Sequence, residues 1–153
     1  MQPLATRDVY IESTVPLITP IELVTKLPIT PAVAQTVTSG RNQVRDILNG
    51  NDPRFMVVVG PCSIHDEEAA LDYAHRLLVC SRRLSDRILI VMRVYFEKPR
   101  TTVGWKGLIN DPGLDGSFNI NQGLHLARRL LLDLAERSMP AGSEFLDTII
   151  TQY

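Results

Sequence analysis

Continuous apolar runs alternate with stretches of helical periodicity after residue 50. Residues 55–59 (FMVVV) and 88–94 (ILIVMRV) are nearly unbroken apolar runs, and residues 144–150 (EFLDTII) are a third predicted strand. Runs rich in β-branched residues and lacking alternation are typical of strands buried on both faces of a sheet. Between them, residues 66–84 and a stretch beginning with Asn121 as a predicted N-cap repeat apolar residues at helical spacing. This order predicts right-handed crossovers and a parallel sheet.

The first 30 residues lack such regularity, and we call them the arm. Four prolines interrupt the arm before residue 30, so we expect a short strand and one or two helical turns that lie on another surface. Thr30 and Pro31 fit the N-cap and first position of a helix, and Gly50 fits its C-terminal side. The predicted division is residues 1–50 as arm and helix, and residues 51–153 as the strand-and-helix portion.

Three predicted strands are too few for a closed barrel. A closed (β/α)8 barrel needs roughly 250 residues, and a three-stranded parallel sheet leaves two edges exposed. We therefore expect an α/β chain that forms the first three βα units of a TIM barrel, preceded by an N-terminal extension, with the rest of the barrel missing. A small open sheet is the alternative.

Composition narrows the class of protein. The 153 residues carry a net charge of −1, and the charged residues, 22% of the chain, are interspersed, so we expect neither a nucleic-acid nor a membrane partner. No apolar run approaches the roughly 18 residues that span a membrane, and no secretory signal is visible. Two cysteines, Cys62 and Cys80, suggest a cytoplasmic, reduced protein.

The first candidate for chemistry follows the first strand. Cys62 comes directly after Gly60 and Pro61, where the active sites of parallel α/β folds lie. A thiolate there could serve as a nucleophile or a metal ligand, and a small buried apolar residue is the alternative. His65 and Asp66 fit turn and helix-capping roles better than ligand roles.

The second candidate is the loop after the second strand. Between Arg93 and Lys106 there are four basic residues and one acid, which favours a site for an anionic substrate. A solvated loop with its cations in water is the alternative. Glu144 and Asp147 lie on the predicted third strand, where ion pairing is as compatible with the sequence as a role in a site.

Three motifs together resemble a known family. GPCSIHD (residues 60–66), MRVYFEKPRTTVGWKGL (residues 92–108) and EFLD (residues 144–147) resemble type I 3-deoxy-D-arabino-heptulosonate 7-phosphate (DAHP) synthase, also called phospho-2-dehydro-3-deoxyheptonate aldolase. The resemblance extends from about residue 10 onward. It implies a (β/α)8 barrel and the first step of the shikimate pathway to aromatic amino acids, in which phosphoenolpyruvate adds to the aldehyde of erythrose 4-phosphate and phosphate leaves.

The resemblance also implies roles for individual residues. Lys98 would be the catalytic lysine and would hold phosphoenolpyruvate together with Arg93. Glu144 would support that pocket, and Cys62 would be one of four ligands of a divalent metal such as manganese, iron, cobalt or zinc, which polarises the aldehyde. The site for erythrose 4-phosphate would be formed by Lys98, Pro99, Arg100 and Thr101.

The remaining metal ligands of the family, a histidine, a glutamate and an aspartate, come from later strands. We therefore expect this chain alone to be inactive and not to hold the metal. The complete enzyme would be a homo-oligomer, with an aromatic amino acid as its inhibitor. The alternative is a non-catalytic truncated or regulatory module of the same family.

Overall fold

The computed structural model describes residues 7, 9–11, 13–99, 103–146 and 148–153. Its centre is a parallel sheet in the order β1 (Phe55–Val59), β2 (Ile88–Arg93), β3 (Ala141–Gly142). The helices are α1 (Pro20–Lys26), α2 (Pro31–Leu48), α3 (Glu67–Arg83) and α4 (Ile120–Glu136), and a 3-10 turn covers Ile150–Gln152. The predicted α/β chain with a parallel sheet is confirmed.

Side-chain caps explain where the helices begin. Thr30 accepts a hydrogen bond from the Val33 amide and Asp66 one from the Ala69 amide, which satisfies amides that the first helical turn leaves unpaired. The cap predicted at Asn121 is wrong, because Asn119 caps α4. Over the described ranges, no helix combines the length and apolarity that crossing a membrane requires.

The core lies between β2 and the helices α3 and α4. Met92 on β2 is fully buried, as are Leu130 and Leu134 on α4 and Ala74 on α3. Burying each large aliphatic side chain contributes about 1.5–3 kcal/mol, so this layer fixes the strand that leads into the second candidate loop.

The first strand departs from its prediction. Phe55 is 76% exposed and Val58 is 52% exposed, although the unbroken apolar run predicted burial on both faces. Within the described residues β1 pairs only with β2, so its other edge and much of its apolar surface remain uncovered.

The third strand predicted at residues 144–150 is wrong. β3 is only Ala141–Gly142, which pairs with the end of β2, and the last backbone bond of this ladder runs from the Val94 amide to the Gly142 carbonyl. Beyond it the Glu97 amide donates to the Glu144 side chain, so a carboxylate replaces a strand carbonyl and pairing stops. Phe145, the next residue, is 82% exposed.

The described part of the arm packs on α4. Leu23 of α1 is fully buried, and Asn121 bonds the backbone on both sides of Leu17, at the Pro16 carbonyl and the Ile18 amide. The prediction that the arm lies on another surface and forms a helical turn is confirmed. No strand occurs in the arm residues that the structure describes.

Candidate active site

Arg93 connects the ends of β1 and β2. Its Nη2 donates to the Gly60 carbonyl at 2.7 Å and its Nε donates to the Pro61 carbonyl at 3.0 Å. A Cβ atom at Gly60 would lie 2.4 Å from the Arg93 carbonyl oxygen, so only glycine permits this approach. The guanidinium also lies 5.3 Å from the centre of the Tyr95 ring, in the range of a cation–π contact.

Cys62 and Lys98 meet at this edge of the sheet. Lys98 Nζ lies 3.0 Å from Cys62 Sγ and 3.3 Å from the Cys62 carbonyl oxygen. Cys62 is exposed, so the alternative of a buried apolar cysteine is wrong. A thiol and an ammonium group therefore stand side by side where the first two strands end.

The loop that carries Lys98 is held by backbone contacts. The Lys98 amide donates to the Lys106 carbonyl at 2.9 Å, and the Ile109 amide donates to the Phe96 carbonyl at 3.3 Å. Gly107 has a φ of +104°, and a Cβ there would lie 2.2 Å from the Phe96 carbonyl oxygen. The described part of this loop is thus folded back on itself, and the alternative of a wholly solvated loop does not describe it.

Trp105 anchors the same loop. Its Nε1 donates to the Asp111 carbonyl at 2.7 Å. His65 packs edge-on against Trp105, with the ring centres 6.5 Å apart, while Asp66 caps α3. The predicted helix-capping role of Asp66 is confirmed.

Glu144 lies beyond the end of β3, and its prediction as the first residue of a strand is wrong. Its Oε1 accepts from the Glu97 amide at 3.3 Å, whereas its Oε2 is buried without a hydrogen bond. Burial raises the pKa of the Glu144 carboxyl, and the charges of Lys98 and Arg93 act in the opposite direction. This carboxylate therefore faces the cations of the candidate site.

The raised pKa of Glu144 gives a testable pH dependence. The folded protein holds this proton more tightly than the unfolded chain. Stability therefore falls as the pH rises from the pKa of Glu144 in the unfolded chain through its raised pKa in the folded protein. Glu144→Gln keeps an acceptor oxygen and removes the charge. In the full-length protein we expect this variant to melt a few degrees above the wild type at pH 8 and the gap to close toward pH 4.

Glu22 offers a control of opposite sign. Hydrogen bonds from Thr19 lower the pKa of Glu22, so Glu22→Gln should lower the melting temperature at pH 8 and lose that effect in acid. If Glu144→Gln instead lowered the melting temperature at pH 8, the cations would outweigh burial at Glu144.

Sequence reasoning missed two residues that shape the site. Glu97 is buried, with 9% exposure, directly before Lys98, and its Oε1 lies 3.5 Å from Asn110 Nδ2. Asn110 also donates to the Lys106 carbonyl. The sequence pattern did not mark Glu97 as buried, because an acid beside a lysine in a polar loop normally faces water.

Other predicted site residues are less informative. Pro99 is exposed. Arg100, Thr101 and Asp147 lie outside the described residues, so their predicted roles stay predictions.

A metal centre needs about three protein ligands. Across the described ranges, no group of three His, Cys, Asp or Glu side chains comes together. Cys62 offers one thiol ligand, so these residues do not by themselves fit the implied metal.

A parallel α/β chain with cations, a thiol and a carboxylate at the carboxyl ends of its strands belongs to the class of α/β folds whose active sites lie at that edge of the sheet. Residues 26–153 match the DAHP synthetase I family. The chain belongs to this family, which catalyses the first step of aromatic amino acid biosynthesis, and the resemblance found in the three motifs is confirmed.

Individual relatives agree with this assignment. The chain is 57% identical over 138 residues to the phospho-2-dehydro-3-deoxyheptonate aldolase of Amycolatopsis methanolica, covering 90% of this chain and 68% of the relative. It is 56% identical over 146 residues to the Phe-sensitive aldolase of Escherichia coli strain K12, covering 95% of this chain and 42% of that one.

A solved structure has a similar fold. The phospho-2-dehydro-3-deoxyheptonate aldolase from Francisella tularensis SCHU S4 superposes with a TM-score of 0.90 at 51% identity, covering 94% of this chain and 42% of that one. The chain thus spans about two fifths of the length of the Escherichia coli and Francisella proteins.

Proposed function

We propose that this chain is the N-terminal part of a synthase that condenses phosphoenolpyruvate with erythrose 4-phosphate. The enol carbon of phosphoenolpyruvate bonds to the aldehyde carbon, water adds at the neighbouring carbon, and phosphate departs, giving DAHP. The observation that carries this proposal is the meeting of Lys98, Cys62 and Arg93 at the ends of two neighbouring strands, within a family match of residues 26–153.

Charge supports anionic substrates at this edge. Both substrates are phosphorylated, and fixed cations stabilise such charge best where it is partly shielded from water. Arg93 is half-buried, and the carbonyls of Gly60 and Pro61 orient its guanidinium. We propose that Arg93 and Lys98 bind phosphoenolpyruvate, supported by Glu144, and that Lys98, Pro99, Arg100 and Thr101 bind erythrose 4-phosphate.

The exposed apolar surface supports a larger barrel. The uncovered side chains of β1, Phe55 and Val58 among them, are of the kind that the packed interior and the outer helices of a closed barrel cover. Cavities of about 350 and 550 Å³ also adjoin α2, α4 and the residues around β3. We propose that residues 51–153 form the first three βα units of a (β/α)8 barrel and residues 1–50 its N-terminal extension.

The metal and the partners belong to the complete protein. Cys62 would be one ligand of a divalent metal, and residues elsewhere in the protein would supply the others. The names of the Phe-sensitive and Trp-sensitive relatives support an aromatic amino acid as inhibitor. We also propose a cytoplasmic homo-oligomer.

Lys98→Met in the full-length protein tests the proposed function. We expect phosphate release from phosphoenolpyruvate, in the presence of erythrose 4-phosphate and manganese, to fall about 10²- to 10³-fold, because a preorganised charge is lost. Lys26→Met, in the last turn of α1, is the control and should release phosphate at the wild-type rate. A wild-type protein that releases no phosphate would favour the non-catalytic module. A Lys98→Met variant with unchanged phosphate release would show that Lys98 has no role in the site.

A further inference from the structure

We infer that Tyr95 is a positioning residue, which holds the guanidinium of Arg93 so that one edge faces phosphoenolpyruvate; this inference rests on the proposed function. Cζ of Arg93 lies over the Tyr95 ring, 5.3 Å from its centre. The negative face of an aromatic ring attracts a cation at this distance, more strongly where water is partly excluded. Both residues are half-buried, so the ring bounds the space in which the guanidinium can move.

The alternation of β2 and the residues after it places both side chains on one face of the sheet. The core contains Met92, Val94 and Phe96. The residues between them, Arg93 and Tyr95, therefore point to the opposite face, because successive side chains of an extended chain alternate. The contact between the ring and the guanidinium thus follows from a separation of two residues along the chain.

The backbone of Tyr95 is held from both sides. The Ile64 amide, in the turn after β1, donates to the Tyr95 carbonyl at 2.8 Å, and the neighbouring Val94 amide donates to the Gly142 carbonyl at 2.9 Å. Ile64 is itself 2% exposed, so this turn is packed into the core. The ring of Tyr95 therefore extends from a backbone with little freedom, and it offers the guanidinium a fixed surface.

The bonds of Arg93 leave one edge of its guanidinium for a ligand. Nε donates to the Pro61 carbonyl and Nη2 to the Gly60 carbonyl, which uses the edge that these two nitrogens form. Within the part of the chain that the structure describes, these are the only acceptors bonded to Arg93. The hydrogens of Nη1 and the second hydrogen of Nη2 form the other edge, a fork suited to paired carboxylate or phosphate oxygens.

Tyr95 acts on the ligand only through Arg93. Two carbonyls fix one edge of the guanidinium and the ring bounds one face, so the remaining fork is ordered before the ligand arrives. Without the ring the charge is kept, but ligand binding must order the guanidinium. The loss should therefore appear in the affinity for phosphoenolpyruvate, with the rate of the bound complex little changed.

The test is the dissociation constant of phosphoenolpyruvate, measured by calorimetry on the full-length protein without erythrose 4-phosphate. Tyr95→Leu should raise this constant, and the KM for phosphoenolpyruvate, about threefold to thirtyfold, while kcat changes by less than about twofold. Tyr95→Phe keeps the ring face and should bind within about twofold of the wild type. Tyr10, 99% exposed in the arm, gives the matched control Tyr10→Leu, which should bind as the wild type does.

Arg93→Met shows whether Tyr95 acts through Arg93. This variant should bind phosphoenolpyruvate about tenfold to a hundredfold more weakly. Adding Tyr95→Leu to it should weaken binding no further, because the contact between the two residues is already lost. An equal effect of Tyr95→Leu in both backgrounds would mean that the ring acts independently of Arg93, and the inference would be overturned. It would also be overturned if Tyr95→Phe lost as much affinity as Tyr95→Leu, since the hydroxyl would then carry the effect.

Two further measurements keep the result decisive. Thermal melting shows whether each variant is folded. If Tyr95→Leu is not folded, Tyr95→Met fills more of the same space without an aromatic face and takes its place with the same expected result. A wild-type protein that does not bind phosphoenolpyruvate would refute the proposed function and this inference together, whereas normal wild-type binding with an unaffected Tyr95→Leu would overturn the inference alone.

Discussion

Gly107→Ala is expected to lower the activity of the full-length protein roughly a hundredfold, because a misplacement of about 1 Å in a catalytic group costs that much. The new Cβ would lie 2.2 Å from the Phe96 carbonyl oxygen and 2.5 Å from the Glu97 Cα. Both atoms belong to the backbone, so no side-chain rotation relieves the overlap. The loop segment that leads to Lys98 must therefore move. We expect a destabilisation of about 3 kcal/mol, measured by chemical denaturation, together with the loss of phosphate release.

Gly116→Ala is the control that distinguishes the effect of steric overlap from the effect of the backbone conformation. Gly116 also has a positive φ, +75°, but a Cβ there meets nothing within 4 Å. This variant should cost about 1–2 kcal/mol from the left-handed conformation alone and should keep near-normal activity. Equal loss of activity in both variants would show that loop conformation in general, and not contact with residues 96 and 97, sets the position of Lys98.

The helices were the most predictable part of the fold, because their ends depend on local chemistry. Thr30 and Asp66 cap the helices that follow them, and both were visible as side chains that accept from a nearby amide. At α4 two asparagines lie two residues apart, and helical spacing alone did not identify the right one. Asn119 caps the helix, and Asn121 bonds the arm.

The strands were less predictable, because pairing is not a local property. The apolar run of β1 correctly indicated a strand, but whether Phe55 is covered depends on what packs against that face of the sheet. Residues 144–150 were predicted as a strand after Gly142, and nothing in their pattern indicates that the Glu144 carboxylate accepts from the Glu97 amide.

The candidate site was predictable in outline. Residues that follow neighbouring parallel strands converge at one edge of the sheet, which is why Cys62 and Lys98 meet although 36 residues separate them. The hydrogen bonds that Arg93 donates to the carbonyls of Gly60 and Pro61 could not be predicted, since they depend on how closely two strand ends approach.

The second large effect is expected at Cys62. In the full-length protein, Cys62→Ala should reduce bound divalent metal and activity together, each by more than about a hundredfold in affinity or rate, because a thiolate supplies much of the binding energy of such a site. Metal content after dialysis and phosphate release measure the two effects. The matched control is Cys80→Ala, because Cys80 is also exposed but lies on α3, away from the strand ends.

The contact between Cys62 and Lys98 gives this experiment a second arm. Cys62→Ala also removes the sulfur that Lys98 Nζ approaches at 3.0 Å, so a fall in activity alone could reflect a displaced lysine. Lys98→Met leaves the thiol in place and removes the ammonium, and it should therefore retain bound metal while losing activity. If Cys62→Ala keeps its metal and only loses activity, the thiol positions Lys98 and is not a ligand. If both variants lose metal equally, metal binding requires Lys98 as well as the thiol.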